Sequence, residues 1–255
     1  REVSMSPNPP MTRWRAAGAH LALSAVVAVA VVSLLLLVWY PGPLYEAGGG
    51  ERLTFILVAI DIVAGPILTL LVFRSGKPGM KFDLAIIAML QAAFLAYGLW
   101  VISAARPAYV VFVADRFVAV GANQLADERL AEAPRAEYSR RPWTGPVWVG
   151  ARNPEDPADV ERVLRSFVAG NGDLERFPKF YVPYAEQAAQ AGRRAKPLSA
   201  LRGRADEAAE VRRVRTAFPG DDVGWLPLVA RSRDMTVIVR RDSGEVLEIA
   251  RAYPW

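Results

Sequence analysis

The hydrophobic pattern of the chain falls into two regimes. Three long apolar runs occupy roughly its first 105 residues; beyond them, short apolar groups alternate with charged and turn-forming residues. Between Ala16 and Tyr40 there is no Asp, Glu, Lys or Arg, and Leu21 to Val38 is almost entirely Ala, Val and Leu. About 20 apolar residues at about 1.5 Å each cover a hydrocarbon core of about 30 Å, so this run predicts a transmembrane helix over residues 17–40. It exceeds the apolar stretch of a cleaved signal peptide, usually about 7–15 residues. It also closes on Trp39-Tyr40-Pro41-Gly42-Pro43 in place of a small-residue cleavage site. Trp39 and Tyr40 suit a membrane interface, and the prolines end the helix. Residues 53–73 predict a second span holding one acid, Asp61, and a Gly65-Pro66 pair expected to kink the helix. Residues 84–105 predict a third, free of formal charge.

The loops set direction. Arg13 and Arg15 precede the first span, and Arg74, Lys77 and Lys81 lie between the second and third, whereas Pro41 to Arg52 carries two acids and one Arg. The positive-inside rule then puts the N-terminus and the Arg74–Lys81 loop in the cytoplasm and everything after the third span outside. Lys77 and Lys81 are also placed to meet anionic lipid or a cytoplasmic component.

After Arg106-Pro107 the period shortens. Tyr109 to Val113 and Phe117 to Val120, parted by Ala114-Asp115-Arg116, read as two short strands or one bent strand. Asn153 to Asp156 followed by Pro157 marks a helix start; Val160, Val163, Leu164 and Phe167 form its apolar series, and Gly170-Asn171-Gly172 ends it. Ser199 to Ala217 predicts a second, charge-rich helix, and Gln187 to Lys196, rich in Ala and Arg, reads as a loose segment. Met235 to Arg241 and Glu245 to Ala250 flank Asp242-Ser243-Gly244, a hairpin signal. The expected fold class is a membrane protein with three N-terminal transmembrane α-helices followed by a small α+β soluble domain. The expected divisions are a cytoplasmic segment over 1–15, a membrane domain over 16–105 and a periplasmic domain over 106–255.

Charge agrees with this division: residues 1–102 hold 7 Lys or Arg and 5 Asp or Glu, and the rest hold 24 and 21. The net charge of +5 is spread among nearly as many acids and reads as a solvated surface, so no nucleic-acid partner is expected. With no cysteine and a single histidine, His20, the chain lacks the means for disulfides, thiolate catalysis or a cysteine-ligated metal site, and no cofactor is expected. Gly48-Gly49-Gly50 has no preceding strand and no following Lys-Ser/Thr, so it reads as a turn. Few ionisable groups share one depth in the membrane, which disfavours an enzyme.

Several short motifs occur in one order: Trp39-Tyr40-Pro41-Gly42-Pro43, Asp61, Gly65-Pro66-Ile67-Leu68-Thr69-Leu70, Lys77, Gly79, Lys81-Phe82-Asp83, Gln91, Tyr97-Gly98, Arg106-Pro107 and Asp115-Arg116-Phe117. In this the chain resembles the type IV pilin accessory proteins of the TfpX/TfpZ type, closely over residues 13–120 and loosely in the tail. The resemblance implies a non-enzymatic inner-membrane protein that aids assembly and disassembly of its cognate major type IV pilin, a pilin-specific chaperone or assembly modulator, in contact with membrane lipid and the pilus inner-membrane machinery. A membrane-anchored periplasmic sensor or ligand-binding protein is the alternative, disfavoured because little of the chain remains inside to signal.

Asp61 is the sharpest single feature, since an acid at the centre of a span costs about 2.5–3.5 kcal/mol on insertion scales. Counted inward from the outer ends of the spans, Asp61 lies at about 12 Å, Tyr97 at about 8 Å, Gln91 at about 16 Å and His20 at about 28 Å. Gln91 and Tyr97 are therefore its expected neighbours in an intramembrane polar network, with a pilin helix as the other candidate. Gly65 and Pro66 form a packing kink or a notch for that helix.

Overall fold

The computed structural model describes residues 11–255, so the first ten residues of the expected cytoplasmic segment lie outside the described residues. The apolar runs become helices. Helix α1 (Arg13–Leu34) continues through a π-helical turn, Leu35–Trp39; a short α2 (Leu44–Ala47) follows, then α3 (Gly50–Val72) and α4 (Met80–Ala105). Arg13–Trp39, Gly50–Val72 and Met80–Ala105 are long and apolar enough to cross a membrane. Residues up to 34 and 51–102 form a helical unit, while 35–50 join 103–255 in a second unit.

Within the helical unit the large apolar side chains point outward. Leu23, Val26, Phe55, Leu71 and Phe94 are all well exposed, an arrangement suited to lipid and unfavourable in water. Polar side chains turn inward: His20 Nδ1 and buried Thr69 Oγ1 lie 2.6 Å apart and join α1 to α3. Pro66 has no N–H to offer the carbonyl of Ile62, yet α3 runs unbroken through it.

The second unit is built on a mixed sheet of eight strands. These are β1 (Pro107–Val113), β2 (Arg116–Gly121), β3 (Val147–Ala151), β4 (Tyr181–Pro183), β5 (Lys196–Pro197), β6 (Val223–Val229), β7 (Met235–Arg240) and β8 (Val246–Ala250), with helices α5 (Asp127–Ala131), α6 (Pro157–Val168), α7 (Ala185–Arg194) and α8 (Ala208–Ala217). The order is β4-β3-β1-β2-β6-β7-β8, and β5 pairs with β6 off this path. Strands β1 and β3 are parallel, as are β2 and β6; the other pairs are antiparallel. Both faces of β1 are covered, which is why Tyr109 to Val113 is continuously apolar. Tyr109 and Val111 pack with Leu130 of α5 and Val163 of α6, while Val110 and Phe112 pack with Leu226, Val237 and Ala191 of α7. A third cluster joins Val211 and Val214 of α8 to Trp225 and Ile238.

Several expected elements are present, with bounds shifted by a residue or two. The β1–β2 hairpin turns at Ala114 (φ 55°), Asp156 caps α6 by accepting from the Ala158 N–H at 2.9 Å, and β7 pairs with β8 around Asp242 to Gly244. Three readings need correction. The segment Gln187 to Lys196 is not loose: most of it lies in α7, whose buried face is made of Ala191 and Gly192. The predicted helix over Ser199 to Ala217 is confined to its last ten residues, because Gly203 at φ 66° and extended Arg204 break it. In α6 only Val163 of the four apolar residues is buried; Val160, Leu164 and Phe167 stay exposed.

The loop after the first span is part of this domain. Leu44 and Ala47 lie in the core beside Phe112 and Leu228, and the Ala47 carbonyl accepts from the N–H groups of Ser232 and Arg233 at 2.9 and 3.3 Å. Glu46 takes donors from Arg233 and from Arg251 Nε (2.9 Å), and Arg233 also donates to buried Glu207 at 2.7 Å. Burial alone would raise the Glu207 pKa, but donation by Tyr253 N–H, Arg204 N–H and Arg233 outweighs it and holds the carboxyl below its ordinary value. Glu46→Ala is therefore expected to destabilise the sheet domain by about 1–2 kcal/mol, because it strands part of Arg233. Glu161→Ala, which removes an exposed pair with Arg165, should cost less than about 0.5 kcal/mol. Denaturant midpoints of the detergent-solubilised chain, followed by tryptophan fluorescence, check both; equal midpoints would contradict the assigned role of Glu46.

Candidate functional site

The site is built where α3 and α4 pass each other. Asp61 is the central residue of the 23-residue helix α3, and Gln91 Nε2 of α4 reaches both its backbone carbonyl and its Oδ1, each at 3.2 Å. Gly65, one turn further along α3, makes that reach possible, since a Cβ there would stand 2.1 Å from Gln91 Nε2. Gly98 does the same service nearer the other end: its Cβ would stand 2.4 Å from Leu57 Cδ1. Small residues thus let the two backbones approach, the usual means of helix packing in lipid.

Beside this contact runs a groove of about 430 Å³. Its walls are apolar, including Leu57, Ile60, Leu68, Ile87 and Phe94, and it extends along α3 from Leu53 to Leu68. Asp61 and Gln91 supply its polar centre. Gln91 Oε1 is buried without a hydrogen-bond partner among the described residues, so the spot offers more acceptors than it satisfies.

Of the two expected neighbours of Asp61, the structure hydrogen-bonds Gln91 to it, with Gly65 packed against Gln91. Tyr97 lines the outer reach of the groove, with its ring 5.9 Å from that of Trp100. Pro66 follows Gly65 in the same helix. His20 is engaged with Thr69, well away from Asp61 in the pairing pattern. In the basic loop Lys77 pairs with Asp83 at 2.6 Å, while Arg74 follows the end of α3 and Lys81 lies in the first turn of α4.

The Trp39-Tyr40-Pro41-Gly42-Pro43 motif is spent on protein contacts in the second unit. Trp39 is 3% exposed, with its ring edge-on to that of Trp143 at 5.4 Å, and Tyr40 is fully buried beside Tyr45. Burial pushes the Tyr40 hydroxyl up to about 12, against the opposing pull of Arg231 and Arg106. Gly42 turns the chain at φ 59° between the two prolines. Trp143, on a loop that carried no sequence signal, is reached by the Arg106 guanidinium at 5.3 Å, and Gly145 N–H donates to the Val38 carbonyl at 2.7 Å. Among the described residues no three His, Asp or Glu side chains gather as metal ligands.

Comparison with known proteins gives matches over most of the chain. The family model described as fimbrial assembly protein FimB matches residues 10–49, the first helix and the loop that enters the sheet domain. The fimbrial assembly protein of serogroup E1 from Dichelobacter nodosus is 30% identical over 240 residues, which is 88% of this chain and 90% of that protein. Its serogroup I counterpart is 28% identical over 236 residues, with the same shares covered. A shorter counterpart from serogroups C1 and C2 is 31% identical over 118 residues, 46% of this chain and 90% of that protein. No solved structure matches.

The close fit of Gly65 to Gln91 can be tested directly. Gly65→Ala should push the Gln91 amide off Asp61 and lower the unfolding midpoint of the helical unit in detergent, a loss of about 1 kcal/mol. The same substitution made on a Gln91→Ala background should cost nearly nothing. An equal cost in both backgrounds would show that Gly65 answers to some other neighbour.

Proposed function

The chain belongs to the fimbrial assembly protein family, and from that membership we propose that it is an inner-membrane accessory protein that helps its cognate type IV pilin enter and leave the pilus fibre. The observation that carries the reading is the relationship to the Dichelobacter nodosus fimbrial assembly proteins along nearly the whole chain, membrane helices and sheet domain together. We read its action as binding without chemistry, with the α3–α4 groove meeting the pilin inside the membrane and the sheet domain working outside it.

In this reading the N-terminus and the Arg74–Lys81 loop are cytoplasmic and the sheet domain is periplasmic. Two observations support the arrangement. The basic residues Arg13, Arg15, Arg74, Lys77 and Lys81 gather at the two ends assigned to the cytoplasm. Residues 35–50 and 103–255 build one unit, and an odd number of crossings between each of them and the N-terminus puts both on the same side of the membrane.

A strain lacking the protein should synthesise its pilin normally and carry at least severalfold less of it on the surface, measured as sheared against total pilin. Unchanged surface pilin and unchanged twitching would remove the accessory role and favour a sensor. A reporter active only in the periplasm and fused after Trp255 should be active; a stable but silent fusion would reverse the topology.

A further inference from the structure

We infer that the α3–α4 groove takes a single membrane-spanning helix of the pilin, and that this helix must present a hydrogen-bond donor, an amine, hydroxyl or amide N–H, at the middle of its span opposite Asp61. The inference rests on the accessory role proposed above and specifies the chemistry of the partner at that site.

Shape indicates a helix. The groove follows α3 from Leu53 to Leu68, about 22 Å or four helical turns, and is walled by apolar side chains. Length and wall chemistry of that kind suit the side of a helix, which meets such a surface along several turns.

Complementarity sets the donor. A carboxyl group has room for about four hydrogen bonds to its two oxygens, and among the described residues the one donor to it is Gln91 Nε2, at 3.2 Å and shared with the Asp61 backbone carbonyl. Gln91 turns its amide nitrogen toward Asp61, and its Oε1 is buried without a partner among the described residues. The polar centre is thus rich in acceptors and short of donors, at the middle of a 23-residue helix where water is scarce. A second copy of this chain would bring the same acceptors to face these. A lipid acyl chain would fill the walls and leave the acceptors unmet. A helix with a donor at matching depth meets both the apolar walls and the Asp61 carboxyl.

The chain has no cysteine, so single cysteines report contacts without a background. Ile60→Cys and Phe94→Cys lie on the groove, and Leu71→Cys and Met89→Cys are exposed positions outside its lining. With the full-length chain and pilin co-expressed in membranes, and a cysteine scanned through the middle of the pilin's apolar helix, mild oxidation should give mixed disulfides at the groove positions about tenfold above the outside positions. Asp61→Leu should reduce them about tenfold, whereas Asp61→Asn, which keeps an acceptor oxygen, should reduce them no more than about threefold. Removing the mid-span donor of the pilin should match the Asp61→Leu loss. Ala64→Phe plugs the groove while leaving Asp61 and Gln91 in place, and should also abolish the adducts even if Asp61→Leu proves unstable.

Equal adducts on both faces, adducts mainly between two copies of this chain, or undiminished adducts in a normally accumulating Asp61→Leu protein would each overturn the inference. Loss of surface pili on deletion, combined with no adducts in the groove, would overturn it and leave the accessory role standing. Normal piliation on deletion would instead overturn the role itself.

Discussion

The structure depends on one constraint: residues 35–50, the end of the first apolar helix and the loop after it, are a structural part of the domain formed by the last 150 or so residues. Leu44 and Ala47 fill its core, and Glu46 sits among Arg233 and Arg251. A loop that only joined two spans would be free to vary in length and course. This one is held by backbone hydrogen bonds from Ser232 and Arg233, by a glutamate accepting two guanidinium groups, and by apolar burial at the foot of β1 and β2. The Trp39-Tyr40 pair follows from the same constraint. Both side chains are buried in the second unit, so aromatic residues at the end of an apolar run here mark a seam within the protein.

The three long helices were readable because their signal is long and one-sided: about twenty apolar residues admit few interpretations. Asp61 and Gln91 could be paired by counting helical rise from the span ends, because both lie on regular helices. Tyr97 passed the same depth count and lines the same groove, with its ring beside that of Trp100.

The sheet domain was only partly legible. Hairpins announced themselves through local turn chemistry, as at Asp242 to Gly244, and α6 through its Asp156 cap. Strand β6 was hidden by Pro227, which ordinarily argues against a strand. It is tolerated because it falls between Gly224-Trp225, which pair with β5, and Leu228-Val229, which pair with β2, on an edge without a ladder pair at that point. Helix α7 was hidden for the opposite reason. Its buried face needs smallness in place of bulk: Ala191 is fully buried, and a Cβ at Gly192 would stand 2.6 Å from the Arg241 carbonyl. A hydrophobicity pattern cannot register a core contact made by the absence of a side chain. The groove escaped for the related reason that its lining comes from two helices at once.

The clasp at Glu46 also sets a timetable for biogenesis. Its partner Arg233 lies 187 residues downstream, and Arg251 lies 205 downstream. At about 5–20 residues per second, the ribosome needs on the order of 10–40 seconds to supply them after Glu46 has been made. For that interval Leu44 and Ala47 have no finished core to enter. A chain cut short between Ala105 and Arg233 keeps all three apolar helices yet cannot close this clasp.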